Sequence, residues 1–216
     1  MVNVYIHGPH WFFGMDAILE AGAALIALCV TFASLKIYLM TGEKKYGYFT
    51  SSFGLLTLSF LSRAITDALL EDVFFKLPSE IAAKVFFTGY VAHIMLALTA
   101  YTLLLIITHK ITDKRIIALL FLIMVPSLLL SGSYFLSFYG LSAIFLAFIA
   151  LAYYHNYKKV SKATACLVFI SFTLLTIAQT LFLLEAAYQT LFVPAHITQA
   201  AGYLVILFAL IKAMLK

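Results

Sequence analysis

Charge is scarce in this chain: Asp, Glu, Lys and Arg make up 11% of its 216 residues, against about 25% in a soluble domain. So few charges cannot cover a water-facing surface, so most of the surface has to face lipid, and 64% of the residues are hydrophobic. Cysteine is nearly absent. Cys29 and Cys166 are the two present, both inside apolar runs, which excludes a disulfide framework and a zinc knuckle and leaves them as packing residues. The single Trp, Trp11, precedes the first apolar run, and of four prolines only Pro126 interrupts a run's interior. The N-terminus lacks the basic stretch of a cleaved signal peptide, so the first helix is expected to stay as its own anchor. No nucleophile elbow, Walker motif, dinucleotide fingerprint or His-Glu-x-x-His helix occurs. No residue is therefore assigned a catalytic role, and an enzyme is disfavoured.

What is present is apolar length. A membrane helix uses about 20 apolar residues, and runs fall at 16–40, 46–71, 79–108, 114–131, 133–155, 162–186 and 194–215. In hydrocarbon every backbone amide must bond within its own segment, so each run is a helix. The expected fold is all-α: residues 1–216 as one polytopic domain of seven transmembrane helices.

Orientation follows from the basic residues. Lys36, Lys44 and Lys45, then Lys110, Lys114 and Arg115, then Lys158, Lys159 and Lys162, and finally Lys212 and Lys216 place eleven of the fourteen on one side. That side is expected to be the cytoplasm, in a multi-pass protein of the cell membrane with an extracellular N-terminus and a cytoplasmic C-terminus. The net charge of +5 is then a topology signal with the lipid bilayer as partner, and nucleic acid is excluded.

The two ends of the chain also match each other. Ser52-Phe53-Gly54-Leu55-Leu56-Thr57-Leu58 parallels Ser171-Phe172-Thr173-Leu174-Leu175-Thr176-Ile177, and Gly89-Tyr90-Val91 parallels Gly202-Tyr203-Leu204. Helices one to three would repeat as five to seven, with helix four as linker. This layout resembles the 3+1+3 seven-helix superfamily of SWEET sugar transporters, PQ-loop transporters and microbial rhodopsins, and the resemblance is one of architecture. The Pro-Gln dipeptide is missing, helices one and five lack proline, and the lysine nearest a retinal position, Lys212, lies in the last turn of helix seven. Those departures argue against retinal. The segment His10-Trp11-Phe12-x-Gly14-x-Asp16, with Lys36-x-Tyr38, is similar to small archaeal seven-helix membrane proteins of unassigned activity.

Polar residues inside the runs mark where a ligand could bind, because intramembrane charge is costly and faces the bundle interior. Arg63 and Asp67 form an i,i+4 pair on a helix-two face with Ser52, Ser59, Ser62 and Thr66. His93 shares a helix-three face with Gly89, Ala97 and Ala100, and His196, Gln199 and Tyr203 descend one face of helix seven. Arg63, Asp67, His93, His196, Gln199 and Tyr203 are the ligand-binding candidates. His7, His10, Glu20, Glu185 and His196 form an imidazole–carboxylate set of a kind that holds zinc, with Asp16, Glu71 and Asp72 expected near the same outer surface. A haem on His93 would need a second histidine at its depth, and none is evident from the helix positions. On the sequence register Arg63, Asp67 and His93 correspond to Phe182, Ala186 and Ile206, so polarity gathers in one repeat and toward the outside.

That asymmetry favours a receptor or sensor, or a cofactor-holding membrane subunit, with its site open to the extracellular side. A sensor of this kind needs a separate signalling or membrane-complex partner, since the helices leave no length for an output domain. The alternative is a small-solute or ion transporter rocking one three-helix unit against the other. A metal-dependent hydrolase of the ceramidase and adiponectin-receptor type ranks lower. It could enlist only Ser62, Asp67, His93 and His196, without that family's paired helix-seven histidines.

Overall fold

A computed structural model of the chain describes residues 15–70, 79–129, 134–185 and 187–214. They form seven α-helices: α1 Met15–Thr41, α2 Lys44–Leu70, α3 Ser79–Thr108, α4 Lys114–Leu129, α5 Tyr134–Val160, α6 Ala163–Glu185 and α7 Phe192–Met214, with a 3-10 turn at Gln189–Leu191 before α7. Six of them, all but α4, are long and apolar enough to cross a membrane.

Three helices stop in the same way. A residue in the left-handed conformation follows the last turn: Gly42 at φ 68°, Lys110 at φ 53° and Ser161 at φ 51°. At the end of α3 the Ile111 amide reaches back to the Ile106 carbonyl, 2.9 Å, which is the six-to-one bond of a Schellman cap. Asp113 then opens α4 by accepting from the Arg115 amide at 2.8 Å, an N-cap that satisfies one orphan donor of the new helix.

Neighbouring contacts give the helix directions. Ser34–Thr50 (2.9 Å) and Glu20–Arg63 (3.2 Å) run α1 against α2. Tyr139 stacks on Phe182 and Tyr153 on Phe172, which makes α5 and α6 antiparallel. Between α3 and α5 the order is different: Tyr90 meets Phe135, His93 meets Phe138, and His109 meets Phe148. These two helices run the same way. Among the described residues, packing closes a ring α1–α2–α3–α5–α6–α7 and back to α1, with α4 resting lightly against α3 and α5. The ring has a head end, with the first turns of α1, α3, α5 and α7, and a basic end carrying Lys44, Lys45, Lys110, Lys158 and Lys159.

Glycine permits the closest approaches. A Cβ on Gly89 would run into the Thr66 side chain of α2, and one on Gly202 would stand 2.8 Å from Leu175 Cδ2 of α6. Small residues let backbones meet in this way where lipid supplies no hydrophobic drive.

The distribution of polarity is that of a lipid-facing protein. Leu39, Leu122 and Leu25 are 74%, 67% and 62% exposed, whereas Glu20 is 0% and Arg63 7% exposed. Apolar side chains turn outward and charges turn inward. Cys29 belongs to the outward set, so it is not the packing residue the sequence suggests; its apolar thiol simply lies on the exposed side of α1.

Candidate functional site: an ionic cluster at the head end

An ionised side chain inside a bilayer must be paired to be tolerated, and here the pairing converges from several helices. Glu20, one turn into α1, places Oε1 3.2 Å from Arg63 Nη1 of α2 and 3.5 Å from His196 Nε2 of α7. Arg63 Nε lies 3.6 Å from Asp67 Oδ2 one turn further along α2. Tyr90 of α3 donates its hydroxyl to Asp67 Oδ1 at 2.6 Å, and Arg63 Nη1 donates to the Tyr139 hydroxyl of α5 at 3.3 Å. Glu185 is buried at the end of α6, on the same end of the bundle. A planar guanidinium suits the centre of such a group, because its fixed fork of donors can serve several acceptors at once.

Below this layer lies His93. The Ser59 hydroxyl donates to the His93 backbone carbonyl at 2.8 Å, and His93 Nδ1 lies 2.8 Å from Ser59 Oγ and 3.1 Å from the Ser59 carbonyl. A carbonyl only accepts, so Nδ1 carries the hydrogen and Nε2 keeps a lone pair. Nε2 has no hydrogen-bond partner among the described residues. Deeper still, aromatic rings close the bundle. The Tyr101 and Tyr203 hydroxyls meet at 3.2 Å, and Tyr203 packs edge-on against Phe60 and Phe53.

Changing Tyr203 to Phe strands the Tyr101 hydroxyl, so it is expected to lower stability by about 1 kcal/mol. The double change with Tyr101→Phe should recover most of that loss, and thermal unfolding in detergent reads both.

All six ligand-binding candidates are buried at the interior of the ring. Arg63, Asp67 and His196 meet in the cluster, Glu20 joins them, His93 and Gln199 lie within the same core, and Tyr203 belongs to the aromatic floor. Two details differ from the sequence reading. Arg63 and Asp67 are not a self-contained pair, because the shorter contact of Arg63 is to Glu20 across helices. Glu20, Glu185 and His196 lie toward the head end but are buried in the bundle rather than solvated.

Of the zinc-type set, His7 and His10 lie outside the described residues, as do Glu71, Asp72 and the side chain of Asp16. Among the described residues no three His, Cys, Asp or Glu side chains gather as a metal site.

Tyr90, Tyr139, Gln179 and Ser142 escaped the sequence reading. Each puts a polar atom in a run otherwise built of hydrocarbon, and a buried tyrosine hydroxyl usually needs a partner. Tyrosine is also common at membrane interfaces, which hides the buried ones. No protein-family model, curated protein or solved structure matches the chain.

Proposed function

We propose that the chain crosses the cell membrane seven times, with its N-terminus outside and its C-terminus in the cytoplasm. In this reading it serves as a receptor- or sensor-like membrane subunit whose polar ligand site opens to the extracellular side. The parallel course of α3 and α5 supports seven crossings: α3 ends at the basic end, α5 starts at the head end, and α4 is the stretch between them. At about 1.5 Å per residue, the 16 residues of α4 cover most of a hydrocarbon core. The basic residues gathered at one end support the orientation.

An internal repeat has support from the glycines. Gly89 accepts from Ser62 at 3.1 Å and Gly202 from Ser171 at 2.9 Å, each across the hairpin to the preceding helix. That pairing sets Ser62 opposite Ser171, whereas the local sequence match sets Ser52 there, so the two correspondences do not share one register.

The observation that carries the functional reading is the confinement of buried charge, among the described residues, to one end. Glu20, Arg63, Asp67, Glu185 and His196 all occupy the head end, over a floor of Phe53, Phe60, Tyr101 and Tyr203. A site polar on one side and sealed by aromatic packing on the other suits binding and reporting to a partner protein. Two three-helix groups around a shared interior favour the transporter as second reading.

The test uses proteoliposomes supplied from outside with labelled amines, amino acids and sugars. The expected result is saturable binding of one class, abolished by Asp67→Asn, without accumulation in the lumen. Accumulation abolished by Asp67→Asn overturns the receptor reading in favour of transport, and the absence of any saturable binding removes both.

A further inference from the structure

At the basic end, away from the ionic cluster, the first hairpin leaves a groove of about 520 Å³ between the close of α1 and the start of α2. Leu35 and Tyr38 form its α1 wall, and Lys44, Gly47, Tyr48 and Ser51 its α2 wall. Gly47 lets the Tyr38 ring come in close, since a Cβ there would stand 3.2 Å from Tyr38 Cε2. Deeper in, Thr50 meets the Ser34 hydroxyl at 2.9 Å and closes the floor.

Charge at the mouth does not balance. Glu43 pairs with Lys45, whose ammonium also lies 4.8 Å from the centre of the Tyr46 ring. Lys44 has no acidic partner among the described residues. One positive charge is left over, with the phenol groups of Tyr38 and Tyr48 on the same walls as further donors. A phosphate, negative and rich in acceptor oxygens, complements that set.

Depth selects a lipid over a free ion. Leu35 lies six residues before the end of α1, and Ser51 seven residues after the start of α2. At about 1.5 Å per residue the groove therefore runs roughly 10 Å along the helices. A headgroup layer is only about 5–7 Å thick, so the groove passes from headgroups into hydrocarbon. Leu39 and Met40, exposed on the adjoining turn of α1, face the same acyl chains. A free ion fills the mouth alone, whereas a phospholipid carries phosphate and hydrocarbon in that order.

We propose that this groove seats an anionic phospholipid, with its phosphate at Lys44 and Tyr48 and an acyl chain along Leu35 and the Tyr38 ring. A phosphatidylcholine fits less well, because its own quaternary ammonium answers its phosphate and repels Lys44.

Thermal unfolding of the protein in non-ionic detergent, with lipid titrated in, tests this. Phosphatidylglycerol is the probe; phosphatidylcholine with the same chains, and glycerol phosphate without chains, are the comparisons. The expected result is a saturable rise in Tm of about 4 °C or more with phosphatidylglycerol alone. That rise should be lost in Lys44→Gln and kept in Lys114→Gln, which removes an exposed basic residue from the same end. Gly47→Leu keeps Lys44 but fills the groove, so it should lose the rise as well, and it serves if Lys44→Gln fails to fold. An equal rise with phosphatidylcholine or with glycerol phosphate overturns the proposal, and so does no rise. A rise kept in Lys44→Gln overturns it too. Equal losses in Lys44→Gln and Lys114→Gln would mean attraction to the basic end as a whole, and that also sinks the site. The Glu20–Arg63 cluster is untouched by these variants, so the receptor reading stands or falls separately.

Discussion

Replacing Arg63 by methionine is expected to unfold the head end of the bundle. The substitution leaves Glu20 and Asp67 as carboxylates in a lipid-surrounded interior, without the guanidinium that lies 3.2 Å from one and 3.6 Å from the other. Removing one partner of a buried ion pair lowers stability by about 3–5 kcal/mol, a large part of a domain's total of about 5–15 kcal/mol. The measurement is the monodisperse fraction after mild detergent extraction, together with the Tm of what survives. The triple change Arg63→Met, Glu20→Gln, Asp67→Asn removes the stranded charges and should regain most of the loss, because a neutral set of similar volume has nothing to leave unpaired. Arg63→Lys should fall between: it keeps the charge but loses the fork that reaches Glu20, Asp67 and Tyr139 together. An Arg63→Met protein as stable as the parent would mean that the guanidinium is not the centre of the cluster.

The second large effect is expected from Gly89→Leu. Even the first carbon of the new side chain would overlap Thr66 of α2, so α2 and α3 have to separate at the level of Asp67 and Tyr90. Overpacking typically costs about 1–3 kcal/mol. Here the separation also breaks the Ser62–Gly89 hydrogen bond and pulls Tyr90 away from Asp67. The variant should therefore lose Asp67-dependent ligand binding as well as Tm. Gly89→Ala offers a graded version, and combining it with Thr66→Ala makes room for the new methyl group. If the paired change restored Tm but not binding, the position of Tyr90 would matter beyond packing. If Gly89→Leu retained both, the close approach of α2 and α3 would be irrelevant to the site.

These residues also show what a sequence can disclose about such a bundle. The helices were legible because lipid imposes one rule on the backbone, and a run of apolar residues such as 79–108 meets it almost residue for residue as α3. Arg63, Asp67, His93 and His196 were legible as interior because charge and imidazole in an apolar run have nowhere else to go. Their partners were not legible. Helical spacing says that Asp67 lies one turn from Arg63, but the contact between Arg63 and Glu20 depends on how far α1 slides along α2. Nothing in either helix alone sets that offset. Tyr139 was hidden for a different reason: in sequence, a tyrosine near the start of a helix looks the same whether its hydroxyl reaches headgroups or a buried guanidinium. Helix α4 was legible as a helix but not as an outlier, because its run 114–131 is as apolar as its neighbours and its place outside the ring is a property of the assembled six.

The outlying position of α4 gives it an unusual kind of necessity. Among the described residues it adds little packing, since it rests lightly against α3 and α5 and turns Ile116, Leu119 and Leu122 outward. Yet α3 and α5 point the same way, so a chain joined directly from one to the other would thread its last three helices upside down. His196 would then arrive at the opposite face from Glu20, and the cluster would never assemble. The segment that contributes least to cohesion sets the handedness of the whole thread.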